Sequence, residues 1–138
     1  MIFLETSFIV NFHVTTIQNH ERALEIYKEI EKEPKYISEM TIYETLTALR
    51  KLKQSDTKLN EVHDFLINSE NIAVLEDVIF YNKALELTFN NSIGFFDNLS
   101  YVVMKENSIK TIASFDLDFD ILEDIKRIGW TIKTIKKD

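Results

Sequence analysis

A chain of 138 residues, 45% hydrophobic and 28% charged, is long enough to bury a core, and this composition excludes an intrinsically disordered protein. The absence of cysteine excludes disulfides, thiol nucleophiles and thiolate zinc sites. The net charge of −7 argues against non-specific binding to nucleic acid, which depends on Lys and Arg, although acids clustered in a nuclease site would also lower it.

The first half of the chain alternates strand and helix signals. The run IFLE at residues 2–5 predicts a buried strand, and Thr6 and Ser7 are suited to cap the helix that follows. Apolar residues at i, i+3, i+4 and i+7 predict an amphipathic helix over residues 20–32, which Pro34 ends. The next predicted elements are a strand at 35–37, a helix from Ser38 to about Lys53, a helix over 57–68 and a strand over 72–75.

The second half continues the alternation. A helix over 77–89 is followed by the loop NNSIGF and by a helix from about Asp97 to Glu106. The remaining predicted elements are a strand over 108–114, a helix over 120–128 with Gly129 as its stop, and a last strand over 130–135. Strands that alternate with helices indicate an α/β protein with a parallel sheet covered on both faces, and the length indicates one domain over residues 1–138.

Four acidic residues stand at the ends of predicted strands or in the helices that follow them: Glu5, Glu44, Asp97 and Asp116. The carboxyl ends of adjacent parallel strands open onto one crevice, so these carboxylates are expected to converge there. Carboxylates that converge repel one another unless a cation lies between them. The pattern therefore predicts a site for a hard divalent metal ion.

Each acid also has a structural interpretation. Glu44 has no cation at helical spacings of three or four residues, and its alternative role is a hydrogen bond with neighbouring backbone. Asp97 stands where a helix begins and is suited to be an N-cap. Asp116 is followed by Asp118 and Asp120, and loop aspartates after a strand commonly form turns.

Other kinds of active site find little support. His13, His20 and His63 show no metal-ligand spacing, and we expect them on the surface or in packing roles. The sequence lacks a GxSxG elbow, a Walker loop and a GxGxxG turn. The single acid after the first strand, Glu5, argues against a receiver domain and against a haloacid-dehalogenase-like phosphatase, since each places paired acids there.

Three stretches, covering four motif segments in order, carry a resemblance to a known family: MIFLETSFIVNF, YISEMTIYETLTALRK and IGFFDNLSYVVMKENSIKTIASFDLDF. Together they resemble the PIN domain, the nuclease module of VapC-type toxins and of many archaeal RNA-processing proteins. The resemblance implies a Rossmann-like fold with a central parallel sheet flanked by helices, a Mg²⁺ or Mn²⁺ cofactor, an RNA substrate and dimerisation. By matching positions it implies that the catalytic, metal-binding acids are Glu5, Glu44, Asp97 and Asp116, with Asp118 as an auxiliary ligand and Ser114 as a hydrogen-bonding support.

One departure from the family concerns the first acid, which is normally Asp and is Glu5 here. The extra methylene moves the carboxylate by about 1.5 Å, a shift that the strict octahedral geometry of Mg²⁺ tolerates less well than Mn²⁺. Near the C-terminus of the helix that bears the second acid, Arg50, Lys51 and Lys53 are candidates for RNA phosphate contacts. Their alternative role is to complement the negative end of their own helix.

The resulting functional hypothesis is a cytoplasmic, metal-dependent endoribonuclease, the toxin of a VapBC-type pair with a small antitoxin partner. A housekeeping RNA-processing nuclease, a catalytically silent PIN-like binding module and an α/β interaction domain with incidental acids are the alternatives. The absence of an 18-residue apolar run and of a basic leader supports the cytoplasmic expectation. Phe80, Tyr81 and Phe89 are candidates for a homodimer face, or else for the core.

Overall fold

A parallel sheet of five short strands lies at the centre of the protein, which the computed structural model describes over residues 1–130. The strand order is β3-β2-β1-β4-β5, and every neighbouring pair is parallel. The predicted α/β fold with a central parallel sheet is therefore confirmed. The strands are β1 (Ile2–Leu4), β2 (Lys35–Ser38), β3 (Ile72–Leu75), β4 (Thr111–Ala113) and β5 (Lys126–Ile128).

Six α-helices flank the sheet within the described residues, and two short 3₁₀ helices, Val78–Phe80 and Leu117–Ile121, connect them to it. Most helix predictions agree with the structure to within a few residues. The helices are α1 (Thr6–His13), α2 (His20–Ile30), α3 (Glu39–Lys51), α4 (Asp56–Asn68), α5 (Tyr81–Asn90) and α6 (Phe95–Glu106).

The core is divided by the central strand into two apolar layers, because successive side chains of a strand point to opposite faces. Ile2 and Leu4 pack on the layer formed by α1, α2, α3 and α4. Phe3 packs on the opposite layer, with apolar side chains of α6 and of the 3₁₀ helix that follows β4. This sandwich buries both faces of the sheet, as a parallel sheet requires.

The crevice for a functional site is set by the position of β1 in the sheet. β1 pairs with β2 on one side and with β4 on the other. The strands β2 and β3 therefore lie on one side of β1, and β4 and β5 lie on the other. Such a reversal of strand order leaves a gap beyond the carboxyl ends of the two strands. The residues that follow β1 and β4 therefore come together, although more than 100 positions separate them.

The predicted helix over 120–128 is wrong. This segment contains the end of a 3₁₀ helix and then β5, in which Lys126–Ile128 pairs with Thr111–Ala113. The apolar residues of the segment fit a helical period. The unpaired edge of β4 nevertheless offers backbone hydrogen bonds, and residues 126–128 pair with it as a strand. The Ser114 N–H donates to the Ile128 carbonyl at 2.9 Å and extends this pairing.

Gly129 ends β5 by a close approach and does not act as a helix C-cap. A Cβ atom at this position would lie 2.1 Å from the Ser114 carbonyl oxygen, so only glycine fits. Residues 131–135 of the predicted last strand lie outside the described residues.

The apolar candidates for a dimer face are divided between surface and core. Tyr81 is 50% exposed and Phe89 is 76% exposed, whereas Phe80 is partly buried against α5 and α6. Over residues 1–130, none of the helices combines the length and the apolar character that a membrane span requires.

Candidate metal centre

The carboxylate of Glu5 is held at the junction of β1 and α1. Glu5 is the N-cap of α1 in extended conformation, and the predicted capping by Thr6 and Ser7 is wrong. Instead, the Ser7 hydroxyl donates to Glu5 Oε1 at 2.5 Å, and the Thr6 hydroxyl donates to Glu44 Oε1 at 3.5 Å. The two hydroxyls of the first turn of α1 therefore donate hydrogen bonds to carboxylates of the crevice.

The segment after β4 is tied to the same point. Ser114 is fully buried, donates its hydroxyl to Glu5 Oε1 at 2.5 Å and accepts the Asp116 N–H at 3.0 Å. The Phe115 N–H donates to the Ser7 hydroxyl at 2.8 Å. These bonds join the ends of β1 and β4 and place Asp116 next to Glu5. Ser114 thus has the hydrogen-bonding contacts expected of a support residue.

Asp97 reaches the crevice from the first turn of α6. The helix begins at Phe95 with Gly94 as its N-cap, two residues earlier than predicted, so Asp97 is not the cap. The fully buried Asn98 fixes this end of α6, because its amide donates to the Ile93 carbonyl at 3.1 Å and exchanges hydrogen bonds with Asn91. The carboxylate of Asp97 is left to face the acids that follow β4.

Three carboxylates form the tightest group of the site. One oxygen each of Asp97, Asp116 and Asp118 lie within 4.8 Å of one another. The Asp118 N–H also donates to Asp116 Oδ1 at 2.9 Å, an Asx-type turn that brings the third acid round. Of the four acids predicted from sequence, Asp97 and Asp116 are in this three-aspartate cluster, and the predicted auxiliary Asp118 completes it.

Glu5 and Glu44 lie beside the three-aspartate cluster and act on it electrostatically. Burial, followed by the charges of Glu5 and Asp116, raises the pKa of Asp97 to about 8. Burial also raises the pKa of Glu44 to about 7, with a contribution from Glu5, and raises the pKa of Glu5 itself. The ionised form of this site is therefore disfavoured.

Nothing among the described residues neutralises this charge. The ion pairs of residues 1–130 all involve other acids, and no Lys or Arg in this range lies within 4.0 Å of the five carboxylates. Several carboxylate oxygens that face one another without a cationic side chain are the donor set that Mg²⁺ and Mn²⁺ prefer. The residues of the crevice therefore fit a hard divalent cation.

The three basic residues at the end of α3 have different surroundings. Arg50 forms an ion pair with Asp56 at 2.7 Å, and Lys53 lies past the end of the helix in a left-handed conformation (φ 59°). Of the three, Lys51 alone lines the cleft that also contains Glu44. Of these three residues, it is therefore the one placed to contact a ligand in that cleft.

Two residues that hold the site were not identified from the sequence. Ser7 contacts Glu5 and the backbone after β4, and its signal was a hydroxyl two positions after the acid. The side chain of Arg127 is 3% exposed, binds Asp120 through two nitrogens at 2.9 and 3.1 Å, and donates to the Ser114 carbonyl at 2.9 Å. Arg127 had no local signal, because its segment has a helical pattern.

The histidines have the packing and surface roles expected of them. His13 packs edge-on against Phe65, with ring centroids 4.6 Å apart, and burial lowers its pKa to about 4. His20 shares a hydrogen bond with the Asn11 carbonyl at 2.9 Å, and His63 is exposed. Within the described residues, no histidine belongs to a group of potential metal ligands.

The class of protein is an α/β domain with a parallel sheet and a group of carboxylates at the crevice beside its first strand. The PIN domain family model matches residues 2–125, and the chain belongs to the PIN domain family. A comparison with curated proteins found no match.

Three solved structures illustrate which proteins share this fold. VapC20 of Mycobacterium tuberculosis, a sarcin–ricin loop cleaving toxin, has a TM-score of 0.81 at 21% identity, with 94% of this chain and 100% of that chain covered. FitAcB from Neisseria gonorrhoeae has a TM-score of 0.65 at 22% identity, with 94% and 97% covered. VapBC2 from Rickettsia felis, bound to a DNA fragment from its promoter, has a TM-score of 0.65 at 16% identity, with 95% and 100% covered.

Proposed function

We propose that this PIN domain protein is a metal-dependent endoribonuclease that hydrolyses RNA phosphodiester bonds. The observation that carries the proposal is the three-aspartate cluster, in which Asp97, Asp116 and Asp118 present oxygens within 4.8 Å and no described cation compensates them. A divalent cation held there, Mg²⁺ or Mn²⁺, would lower the pKa of a bound water and neutralise charge that develops on the phosphate.

We assign a different role in hydrolysis to each carboxylate of the site. Asp97 and Asp116 would hold the cation, with the exposed Asp118 as a third ligand. Glu5 is oriented by two hydroxyl donors on Oε1 and would help to position the water that attacks the phosphate. Glu44, whose pKa is raised to about 7, is suited to hold or release a proton near neutral pH.

The biological role we propose is that of a VapC-like toxin. A PIN domain with toxins among its structural neighbours supports this role, and toxin–antitoxin complexes among those neighbours support an antitoxin partner. Since the substrate would be RNA, we place the protein in the cytoplasm. We also propose a homodimer, for which the exposed Tyr81 and Phe89 offer apolar surface.

The test is cleavage of labelled single-stranded RNA with Mn²⁺, Mg²⁺ or EDTA. We expect cleavage that requires the cation and that falls at least 100-fold in Asp97→Asn, because one of the ligands is lost. Asp64→Asn, an exposed acid on α4, is the matched control and should retain full activity. Cleavage in EDTA, or equal cleavage by Asp97→Asn and the wild type, would contradict the proposal.

A second candidate is a PIN-like binding module that does not cleave. It is favoured by Glu5, where the family has Asp, because the longer side chain already accepts two hydroxyl hydrogen bonds on one oxygen. Glu5→Asp separates the two candidates. Activity that appears only in this variant would identify a decayed site, whereas activity in the wild type would exclude the binding module.

A further inference from the structure

One face of α3 forms an open cleft beside the three-aspartate cluster. Met40, Tyr43, Glu44 and Lys51 follow one another at helical spacing and, together with Phe96 at the start of α6, enclose about 390 Å³. We call this space the α3 cleft. It is at the small end of the range for ligand pockets in proteins.

The two aromatic rings of the α3 cleft are exposed. Tyr43 is 61% exposed and Phe96 is 46% exposed, so neither ring is needed to fill the core. Aromatic rings that line an open cleft are suited to stack on flat ligands. Nucleobases are such ligands, and every base offers a π-face.

The α3 cleft is continuous with the candidate metal centre. Phe96, which lines the cleft, directly precedes Asp97 of the cluster, and Glu44 also lines the cleft. Thr6, which also lines the cleft, donates to Glu44. A nucleotide whose phosphate is at the aspartates would therefore direct its neighbour into the cleft.

The charges of the chain indicate how RNA would be bound there. A net charge of −7 gives RNA phosphates little overall attraction to the protein, so stacking must supply a greater share of the affinity. Lys51 lines the cleft and forms no ion pair with any described residue, which leaves its ammonium free for one phosphate.

We propose that the α3 cleft binds an unstacked nucleobase of single-stranded RNA next to the bond to be cleaved, with Tyr43 and Phe96 stacking on the base and Lys51 contacting a phosphate. The inference rests on the proposed function and names the form of RNA it acts on. Double-stranded RNA, whose bases are paired and stacked, would not enter the cleft.

The experiment measures RNA binding separately from cleavage. The parent is Asp97→Asn with Asp116→Asn, which removes two repelling charges and the candidate metal ligands, and the probe is a fluorescein-labelled single-stranded RNA of 12 nucleotides in EDTA. We expect Tyr43→Ala and Phe96→Ala each to weaken binding by about fivefold to 150-fold, the range of base–aromatic stacking. Tyr43→Phe keeps the ring and should bind as the parent does.

Two further variants separate stacking from charge. Lys51→Gln should lower the slope of log Kd against log salt by about 0.7, the value for one phosphate contact on a single strand, whereas Tyr43→Ala should leave the slope unchanged. Ile67→Ala and Lys28→Gln, at exposed positions outside the cleft, are the matched controls. The melting temperature of each variant verifies that it is folded.

The outcomes distinguish the inference from the proposed function. Unchanged RNA affinity in Tyr43→Ala and Phe96→Ala overturns the inference, even if the wild-type chain cleaves RNA. Weaker binding in both variants supports it, even if the wild-type chain shows no cleavage with any cation. A parent without measurable affinity for the RNA also overturns it. Cross-linking of 5-iodouridine RNA to Tyr43 or Phe96, located by mass spectrometry, gives independent support.

Discussion

Replacing Asp97 by Asn should stabilise the metal-free protein while it abolishes the candidate metal centre. The folded state raises the pKa of this carboxyl from 3.8 to about 8, first through burial and then through Glu5 and Asp116. At pH 7 the carboxyl of Asp97 is ionised in the unfolded chain and mostly protonated in the folded one. The difference between pH 7 and the unfolded pKa, about three units, therefore opposes folding. At 1.36 kcal/mol per unit this amounts to about 4 kcal/mol, which we halve to about 2 kcal/mol because the side chain is partly exposed and solvent screens the repulsion.

The sign of this effect depends on pH in a defined way. A carboxyl with a raised pKa costs the folded state nothing below the pKa of the unfolded chain, and its cost grows as the pH rises from about 4 to about 8. Asn carries no charge and avoids this cost. Asp97→Asn should therefore gain about 2 kcal/mol at pH 7, near 6 °C in melting temperature, and less than about 1 kcal/mol at pH 5.

Urea unfolding in EDTA, followed by the fluorescence of Trp130, measures both values. Asp64→Asn is the control and should change the free energy of unfolding by less than about 0.5 kcal/mol. In excess Mn²⁺ the order should reverse, since the wild type gains the free energy of cation binding and the variant does not. A variant that is less stable than the wild type at pH 7 in EDTA, or that gains equally at pH 5 and pH 7, would refute the electrostatic reasoning.

Three substitutions away from the crevice test the contacts that support it, each by urea unfolding. Lys35→Met should cost about 2–3 kcal/mol, because the buried ammonium donates to three carbonyls at the end of α2, and a neutral result would show that water replaces it. Asp77→Ala should cost about 1–2 kcal/mol, because the Asp77 carboxylate accepts an N–H of the first turn of α3 at 2.7 Å. The control is Glu76→Ala, a substitution of the exposed neighbouring acid, and equal effects of the two substitutions would contradict the capping role. Gly129→Ala should cost at least about 1–3 kcal/mol, because the new Cβ would overlap the Ser114 carbonyl, and wild-type stability would disprove the close approach.

We expect the metal preference of the site to depend on the single methylene that distinguishes Glu5 from Asp. Glu5 is held through Oε1 by Ser7 and Ser114, so the position of its carboxylate is set by protein contacts and not by a metal ion. Mg²⁺ requires near-ideal octahedral geometry, whereas more flexible coordination tolerates a displaced ligand. We therefore expect cleavage by the wild type to be faster with Mn²⁺ than with Mg²⁺, and Glu5→Asp to reduce this difference. A ratio of Mn²⁺ to Mg²⁺ rates that is unchanged in Glu5→Asp would show that this residue does not set the preference.

The order of strands and helices was accessible from the sequence where the pattern was long or strongly periodic. The helix Asp56–Asn68 and the strand Ile72–Leu75 agree with their predictions almost residue by residue. Short elements were less accessible, because a three-residue strand has no period of its own. Lys126–Ile128 is a strand only because β4 offers it a free edge.

The candidate site shows the same division. Asp97 and Asp116 could be selected because each stands at the start of a helix or after a strand, positions that a parallel fold turns toward one crevice. The membership of Asp118 in the three-aspartate cluster follows from a turn made by its own backbone N–H, and the hydroxyl of Ser7 gains its role from a partner 107 residues away.

The sequence by itself determined the class of fold and the choice of candidate acids, because hydrophobic period and residue chemistry are local properties of the chain. Only the tertiary structure decided which oxygens come together, which carboxylate is oriented by hydroxyl donors and which aromatic rings remain open to a ligand. These depend on contacts between β1, α3, α6 and the end of β4. Distances between such segments are set by the packing of both apolar layers on the sheet, which no local pattern encodes.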